Sequence, residues 1–146
     1  LVLVEGKIVY TIFVDCSVLN ADGNLFDATS YATVAAILTA KIPVLEMQEG
    51  KVVDTGKTMP MPVTTIPISI TQVRIGDAIL VDPTAEEEGA MDARITITTS
   101  DEGYCALQKG YTGSFTIEQI KKAAETARIK GEEVRAKMKE ITKYGT

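Results

Sequence analysis

The chain of 146 residues contains no histidine and no tryptophan, and it has only two cysteines, Cys16 and Cys105. The absence of histidine excludes His-based acid–base catalysis, Ser-His-Asp triads and metal sites built on imidazole. Two cysteines far apart in the sequence are too few for a zinc site, and we expect both to be buried free thiols. The candidates for chemistry are therefore carboxylates, hydroxyls and backbone groups.

Long apolar runs and an excess of positive charge are also missing. No stretch approaches the length of a membrane span, so we expect a cytoplasmic protein without membrane contact. The formal net charge of −5 argues against free-standing nucleic-acid binding, which usually depends on a basic face. Bases outnumber acids in residues 109–146, where a solvated helix face is the simpler interpretation than contact with a polyanion.

The first half of the chain predicts a strand, a helix and a loop-rich segment. Apolar residues alternate through residues 8–19, which predicts a strand. A helix is expected over residues 31–41, capped by the polar side chains at positions 27–30 and ended by Pro43. Residues 44–64 are rich in glycine and proline and are predicted to be extended loop or short edge strands.

The second half predicts several strands. Residues 65–75 and 78–81 are rich in β-branched side chains, and a Gly-Asp pair separates them. Residues 93–99 and 104–108 flank the turn Ser100–Gly103, which predicts a hairpin. The order of elements, with a helix after these strands, predicts layers of sheet and helix.

The last element has the clearest pattern. Thr116 is expected to cap a helix, with Gln119 as its capping-box partner, and an apolar stripe follows for about seven turns. Gly131 lies on this stripe and costs about 1 kcal/mol relative to alanine, which predicts close backbone packing there. The stripe comprises Ile117, Ile120, Ala124, Ala127, Gly131, Val134, Met138 and Ile141.

The turn between the first predicted strand and helix has the form of an anion site without the charge. Such turns bind anions because the amides at a helix N-terminus are unpaired. Here Asp22 and Asp27 flank Gly23, and no lysine or arginine occurs between Lys7 and Lys41. The local sequence therefore does not supply the cation that a phosphate site needs.

Two further segments are candidates for chemistry, and each has a plainer alternative. The acidic residues after the strand at 78–81 can hold Mg²⁺ or supply a general acid, or they can form a solvated turn. The loop Gly110–Ser114 can bind an anion through its amides, or it can be a plain turn before a helix cap. The acidic residues are Asp82, Glu86, Glu87, Glu88 and Asp92.

Three blocks, in order along the chain, resemble segments of the RNase PH-fold ring subunits of the archaeal exosome. They are Val14–Ala28, Glu86–Ile95 and Ala106–Gly110, the last followed by the capped helix. The best match is to the non-catalytic type of ring subunit, over essentially the whole chain. The resemblance implies an α+β, two-layer RNase PH-type βαβ fold with a mixed sheet and a long C-terminal helix.

The same resemblance implies that residues 1–146 form a single domain, the C-terminal part of an RNase PH-like domain. Whole domains of the family have a related N-terminal half, which carries most of the arginines that hold RNA. Because the chain starts with Leu1–Val4 and not with methionine, we expect it to continue a longer protein. We also expect exposed apolar surface, and hence self-association, without that half or a partner.

The resemblance also implies that the sites of active members are degenerate here. Active members carry Gly-Thr-Arg at the turn, and the aligned positions are Asn24, Leu25 and Phe26. Phenylalanine cannot supply the bidentate contacts of arginine to phosphate. Of two catalytic aspartates, the second is kept as Asp92, but the first is Glu86, whose extra methylene displaces the carboxylate by about 1 Å. No metal or other cofactor is implied.

The function implied is structural and RNA-channelling. The protein would pair with a catalytic RNase PH-type subunit in a hexameric ring that degrades and processes RNA in the 3′-to-5′ direction by phosphorolysis. RNA would meet it through the channel of the ring, and RNA-binding cap subunits would be further partners. Two alternatives stay open, an active phosphorolytic exoribonuclease that uses Glu86 and Asp92, and a scaffold module unrelated to RNA.

Overall fold

The computed structural model describes residues 1–143, which contain three sheets and three helices. The largest sheet has four strands in the order β6–β5–β7–β8, and β1–β2 and β3–β4 are separate two-stranded sheets. The elements are β1 (Val2–Val4), β2 (Ile8–Val9), α1 (Leu25–Thr39), β3 (Lys41–Gln48), β4 (Lys51–Pro60), β5 (Ile68–Ile75), β6 (Ala78–Val81), α2 (Ala85–Ala90), β7 (Ala93–Ser100), β8 (Gly103–Gly110) and α3 (Ile117–Thr142).

The hydrophobic core lies between the central sheet and the long helices. β5 and β7 pair with Ile70 opposite Ile97, so their alternate isoleucines share one face of the sheet. Burying each such side chain stabilises the fold by about 1.5–3 kcal/mol. The buried cluster comprises Val34, Leu38, Ile66, Ile68, Ile70, Ile95, Ile97, Ala123, Ala127 and Met138.

Helix α1 also covers a backbone edge of β5. β6 pairs only with residues 72–75 of β5, so the first half of β5 has no strand on that side. Side chains of α1 bond this edge instead. The Tyr31 hydroxyl donates to the Ser69 carbonyl oxygen at 2.9 Å, and the Thr71 amide donates to the Asp27 carboxylate at 2.8 Å. The exposed strand edge is thereby satisfied without another strand.

Helix α3 begins as the sequence predicts. The Thr116 hydroxyl accepts a hydrogen bond from the Gln119 amide at 3.2 Å, and the Thr116 amide donates to the Gln119 side chain at 2.8 Å, which completes the capping box. Gly131 is buried, and a β-carbon there would lie 2.4 Å from Thr99 Oγ1. The predicted close packing at Gly131 is confirmed.

The apolar stripe of α3 differs from the prediction at its ends and on one side. Ile117 and Ile141, near the two ends of the helix, are both 66 % exposed. Ala123 and Arg135, which the predicted stripe leaves out, are buried. Within residues 1–143, no helix combines the length and apolar character needed to cross a membrane.

The strand predicted for residues 8–19 does not form beyond Val9. Residues 10–18 have no regular structure, and Phe13 and Leu19 are 85 % and 97 % exposed. A strand requires a hydrogen-bonded neighbour, and none of the described strands pairs with this segment. Alternation of apolar residues predicts which face a strand would bury, but it does not supply the neighbour.

Helix α1 begins at Leu25, before the predicted start at residue 31. Asn24 is its N-cap in the left-handed conformation, with φ of 44°, and its side-chain oxygen accepts from the Asp27 amide at 3.4 Å. Asparagine tolerates this conformation better than most residues. The polar residues 27–30, predicted to cap the helix, therefore lie inside it.

Residues 41–60 form the hairpin β3–β4 and not the loop or short edge strands predicted for residues 44–64. The two strands have 8 and 10 residues and are largely exposed. The register shifts between Pro43 and Leu45, which lets a proline lie within a paired strand. A hydrogen bond of 2.9 Å from the Met61 amide to the Ala40 carbonyl oxygen closes the base of the hairpin.

The mixed sheet implied by the resemblance is not formed within residues 1–143, because every strand pairing there is antiparallel. Parallel pairing needs a crossover connection, and α1 leads into a separate hairpin. The α+β class, the strands β5 and β6, and the hairpin β7–β8 are confirmed, with boundaries shifted by a few residues.

Candidate functional site at the start of helix α1

Asn24 joins the start of α1 to the loop before α2 and to α2 itself. Its side-chain nitrogen donates to Asp27 Oδ2 at 3.0 Å and to Asp82 Oδ1 at 2.7 Å. Its backbone amide donates to Glu88 Oε1 at 3.2 Å. Asn24 is 5 % exposed, so the donors at this position are already used within the chain.

Asp27 is a buried carboxylate held by donors from two elements. Besides Asn24, it accepts from the Thr71 amide at 2.8 Å and from the Thr71 hydroxyl at 2.7 Å, and that hydroxyl lies 2.9 Å from Thr96 Oγ1. Burial raises the pKa of Asp27 above its ordinary value of 3.8, the charge of Asp82 adds to the rise, and these hydrogen bonds oppose it. These hydrogen bonds show that Asp27 connects α1 to β5 and stabilises the packing of the helix on the strand.

The backbone of the turn approaches another loop of the same chain. Gly23 has φ of +87°, and a β-carbon there would lie 2.4 Å from the Pro83 carbonyl oxygen and from the Thr84 carbonyl carbon. Only glycine allows both the conformation and this approach. The space in front of the turn is thus partly filled by residues 83–85 of the chain itself.

Arg94 brings to the turn the positive charge that the local sequence lacks. Its guanidinium carbon lies 4.0 Å from the centre of the Phe26 ring and 5.7 Å from the centre of the Tyr111 ring. Among the residues that the structure describes, this guanidinium makes no hydrogen bond or ion pair. Sequence reasoning missed Arg94 because it lies on β7, far along the chain from Phe26.

Asp92 is held by groups on three segments. Its Oδ2 accepts from Arg74 Nη1 at 3.1 Å and from the Gly76 amide at 2.8 Å, and its carbonyl oxygen accepts from the Gly113 amide at 3.0 Å. Arg74 Nε also donates to the Ser114 carbonyl oxygen at 3.0 Å. The loop Gly110–Ser114 is therefore fixed by its own chain, which favours the plain turn over an anion site.

The acidic residues between β6 and β7 do not converge. Glu87 closes the capping box of α2 with the Thr84 amide at 2.9 Å, and Glu88 contacts Asn24. The Glu86 side chain is exposed and makes no hydrogen bond to another described residue. In the part of the chain from residue 1 to 143, no three His, Cys, Asp or Glu side chains are grouped so as to hold a metal ion.

Cys16 and Cys105 are exposed, so the prediction that both are buried is wrong. Cys16 lies in the unpaired segment before α1, where its Sγ is 3.5 Å from Thr33 Oγ1. Cys105 lies on β8, an edge strand whose residues are almost all exposed. Both predictions failed because the elements that carry these residues lie at the margin of the described structure.

Apolar surface along α1 is open, as predicted. A groove of about 510 Å³ has Phe26, Val34, Leu38 and Ile66 among its lining residues. A second groove of about 590 Å³ lies between α1 and residues 14–20. Self-association through these surfaces stays a prediction.

Two models of one family match the chain: 3′ exoribonuclease family, domain 1, over residues 1–43, and 3′ exoribonuclease family, domain 2, over residues 65–130. The chain is 46 % identical over 138 residues to the exosome complex component Rrp42 of Thermococcus gammatolerans and 42 % identical to that of Thermoplasma acidophilum. These matches cover 92 % and 94 % of this chain and 50 % of each relative. The chain belongs to the RNase PH-type 3′ exoribonuclease family.

Solved structures agree with this assignment. An archaeal exosome core superposes with a TM-score of 0.72 at 30 % identity, over 83 % of this chain and 47 % of that one. The Archaeoglobus fulgidus exosome with RNA bound to the active site gives 0.70 at 29 % identity, over 82 % and 45 %. The chain spans about half the length of the curated relatives it matches. The resemblance seen in the sequence and the RNase PH-type fold are confirmed.

Proposed function

We propose that this chain is part of a non-catalytic exosome subunit, which pairs with a catalytic RNase PH-type subunit in a hexameric ring. The ring degrades and processes RNA in the 3′-to-5′ direction by phosphorolysis. Residues 1–146 are then one unit, the C-terminal part of an RNase PH-like domain. The observation that carries the proposal is that Asn24 and Asp92, at the two degenerate sites, are both engaged by groups of the same chain.

The turn before α1 is poorly suited to hold the attacking phosphate. Phe26 stands where active members have arginine, and the Asn24 side chain already donates to two carboxylates. Asp22 is exposed beside the turn, and its repulsion of a phosphate dianion costs about 1 kcal/mol at an intermediate effective dielectric. These features support a turn that keeps the family's shape without its phosphate chemistry.

The two acidic positions are also poorly suited to proton transfer or metal binding. Asp92 Oδ2 accepts from Arg74 and from the Gly76 amide, whereas Glu86 is exposed and shares no partner with Asp92. A general acid must lie within hydrogen-bond reach of the group that it protonates. Separate environments for Glu86 and Asp92 support a subunit that does not perform the reaction.

In this proposal the catalytic partner supplies both the phosphate-binding arginine and the aspartate pair. The present chain shapes the interface and the path of RNA through the channel. RNA-binding cap subunits are further partners, and the complex is placed in the cytoplasm. The names of the relatives and of the similar structures, which are exosome components and exosome cores, support the assembly.

Co-expression of the complete protein with the catalytic RNase PH-type subunit tests the proposal. We expect a stable complex in which the partner's phosphorolytic rate rises and in which Glu86→Gln leaves that rate unchanged. Glu118→Gln is the matched control, because it is another exposed glutamate. A rate that falls strongly with Glu86→Gln alone would favour the active exoribonuclease, and a protein that neither binds nor stimulates the partner would favour the unrelated scaffold.

A further inference from the structure

We propose that Phe26, Arg94 and Tyr111 form a binding site for single-stranded RNA, in which Arg94 contacts a backbone phosphate and an exposed ring stacks on an adjacent base. We call these three residues the aromatic–arginine cluster. The inference rests on the proposed function, because it names a contact for RNA that the ring handles. The proposed site is formed by residues of this chain alone and does not include Glu86 or Asp92.

The geometry leaves the binding groups of Arg94 free. The guanidinium carbon of Arg94 lies over the Phe26 ring, 4.0 Å from its centre, and 5.7 Å from the centre of the Tyr111 ring. A cation–π contact uses the charge of the guanidinium and does not occupy its N–H donors with hydrogen bonds. No described residue occupies those donors. An oriented guanidinium with an unused edge is suited to bidentate contact with a phosphate.

The rings beside Arg94 remain available for stacking. Phe26 and Tyr111 are 40 % and 57 % exposed. Tyr111 also has φ of 65°, a left-handed conformation that is unfavourable for an aromatic residue. Lys109 donates to the Tyr111 carbonyl oxygen, which adds a second cation next to the cluster. Aromatic rings interleaved with cations are typical of single-strand binding surfaces.

Acids close to the cluster have other partners. Asp27, next to Phe26 in the sequence, is buried and accepts from the Thr71 amide at 2.8 Å. Asp92 is paired with Arg74 at 3.1 Å, and Asp82 accepts from Asn24 at 2.7 Å. Arg94 is therefore not neutralised within the described residues. A carboxylate of a partner subunit or a free phosphate ion could use the same guanidinium edge. A free phosphate ion would not use the exposed rings, and a carboxylate contact does not require them, whereas a single strand of RNA uses the cation and a ring together, and this favours RNA.

Binding of a fluorescein-labelled single-stranded oligoadenylate to the complete protein, assembled with its catalytic subunit, tests the site. Fluorescence anisotropy is measured over a range of salt concentrations with phosphate omitted. We expect Arg94→Gln to weaken binding at least about fivefold and to reduce the slope of log affinity against log salt by about 0.7, the value for one phosphate contact. Arg128→Gln, an exposed arginine on α3, is the matched control and should change neither quantity.

The rings are tested separately from the charge. Phe26→Leu and Tyr111→Asn are expected to weaken binding by about fivefold or more without changing the salt slope, because they remove stacking and no cation. Asparagine tolerates the left-handed backbone at position 111. The unsubstituted protein is also cross-linked to RNA that contains 4-thiouridine and analysed by mass spectrometry. We expect labelled peptides that carry Phe26 or Tyr111. This experiment does not depend on the folding of any variant.

Three outcomes would overturn the site. Release of the catalytic subunit by Arg94→Gln, with RNA affinity unchanged, would assign Arg94 to a partner carboxylate. Competition by inorganic phosphate that depends on Arg94, together with no effect of Phe26→Leu, would identify the site as one for a free phosphate ion. Cross-links that avoid both peptides would exclude RNA. If the catalytic subunit does not bind at all, the proposed function fails, and cross-linking of the complete protein alone still decides the site.

Discussion

Arg74 Nη1 lies 3.1 Å from Asp92 Oδ2, and this ion pair connects β5, the start of β7 and the loop before α3. The side chain of Arg74 is 19 % exposed, so the pair is shielded from solvent on one side. Asp92 is the retained member of the family's acidic pair, yet its contacts are those of a structural residue. Because the contacts predict a structural role for Asp92, substitution of Asp92 can distinguish that role from a catalytic one.

Asp92→Ala is expected to lower the free energy of unfolding by about 1–2 kcal/mol, because it removes two hydrogen bonds to a carboxylate, one of them from the charged Arg74. Urea denaturation of the complete protein measures the change. Glu86→Ala is the control and should alter stability by less than about 0.5 kcal/mol, since Glu86 is exposed. Unchanged stability together with loss of phosphorolysis in the complex would show that Asp92 is catalytic.

Asn24→Ala is expected to destabilise the protein by about 2–4 kcal/mol. It leaves the carboxylates of Asp27 and Asp82 without a shared donor and forces alanine into the left-handed region. Asn20→Ala is the control, because the Asn20 side chain contacts only the neighbouring amide at an exposed position. Thermal and urea unfolding should show a larger loss of stability for Asn24→Ala than for Asn20→Ala. Equal losses of stability would contradict the role of Asn24 in joining α1 to the loop before α2.

Gly131→Ala is expected to destabilise the protein although alanine favours helices. The new β-carbon would lie 2.4 Å from Thr99 Oγ1, so α3 would have to move away from β7. Gly89→Ala in α2 meets no atom within 4 Å and is expected to be neutral or stabilising by up to about 1 kcal/mol. Denaturation should show a lower free energy of unfolding for Gly131→Ala and no loss for Gly89→Ala. A similar change in both variants would contradict the close contact between Gly131 and Thr99.

Asp27 gives the protein a specific pH dependence. Because burial raises its pKa in the folded state above 3.8, the folded form binds the proton more tightly than the unfolded form does. Its contribution to stability is therefore fully present below pH 3.8 and is lost as the pH rises through the folded pKa. An NMR titration of the Asp27 carboxyl carbon should give a midpoint above 3.8, and a midpoint at or below that value would contradict the assignment.

Helix α3 and the hairpin β7–β8 could be predicted because their signals are local. The capping box of Thr116 and Gln119 and the turn at Ser100–Gly103 each act within a few residues. The strand predicted for residues 8–19 failed for the opposite reason. Its alternation is real, but strand structure depends on a neighbour that the described chain does not provide.

The site could be predicted only in part. The turn, Phe26 and Asp92 were found from local patterns and the family resemblance. Arg94 and Arg135 were not found, because the contacts that give each of them its role are made with residues far away in the sequence. Arg135 is one of many charged residues of α3, yet it is buried and donates to the carbonyl oxygens of Ile66 at 2.9 Å and Thr99 at 2.8 Å. Sequence spacing carries no signal for contacts of that range.

The most direct test of the central claim is phosphorolysis by the complete protein on its own. The purified protein is incubated with labelled RNA and inorganic phosphate, and nucleoside diphosphate release is measured with and without the catalytic RNase PH-type subunit. We predict no release by the protein alone and release when the partner is added. Nucleoside diphosphate release by the protein alone, abolished by Glu86→Gln, would contradict the account.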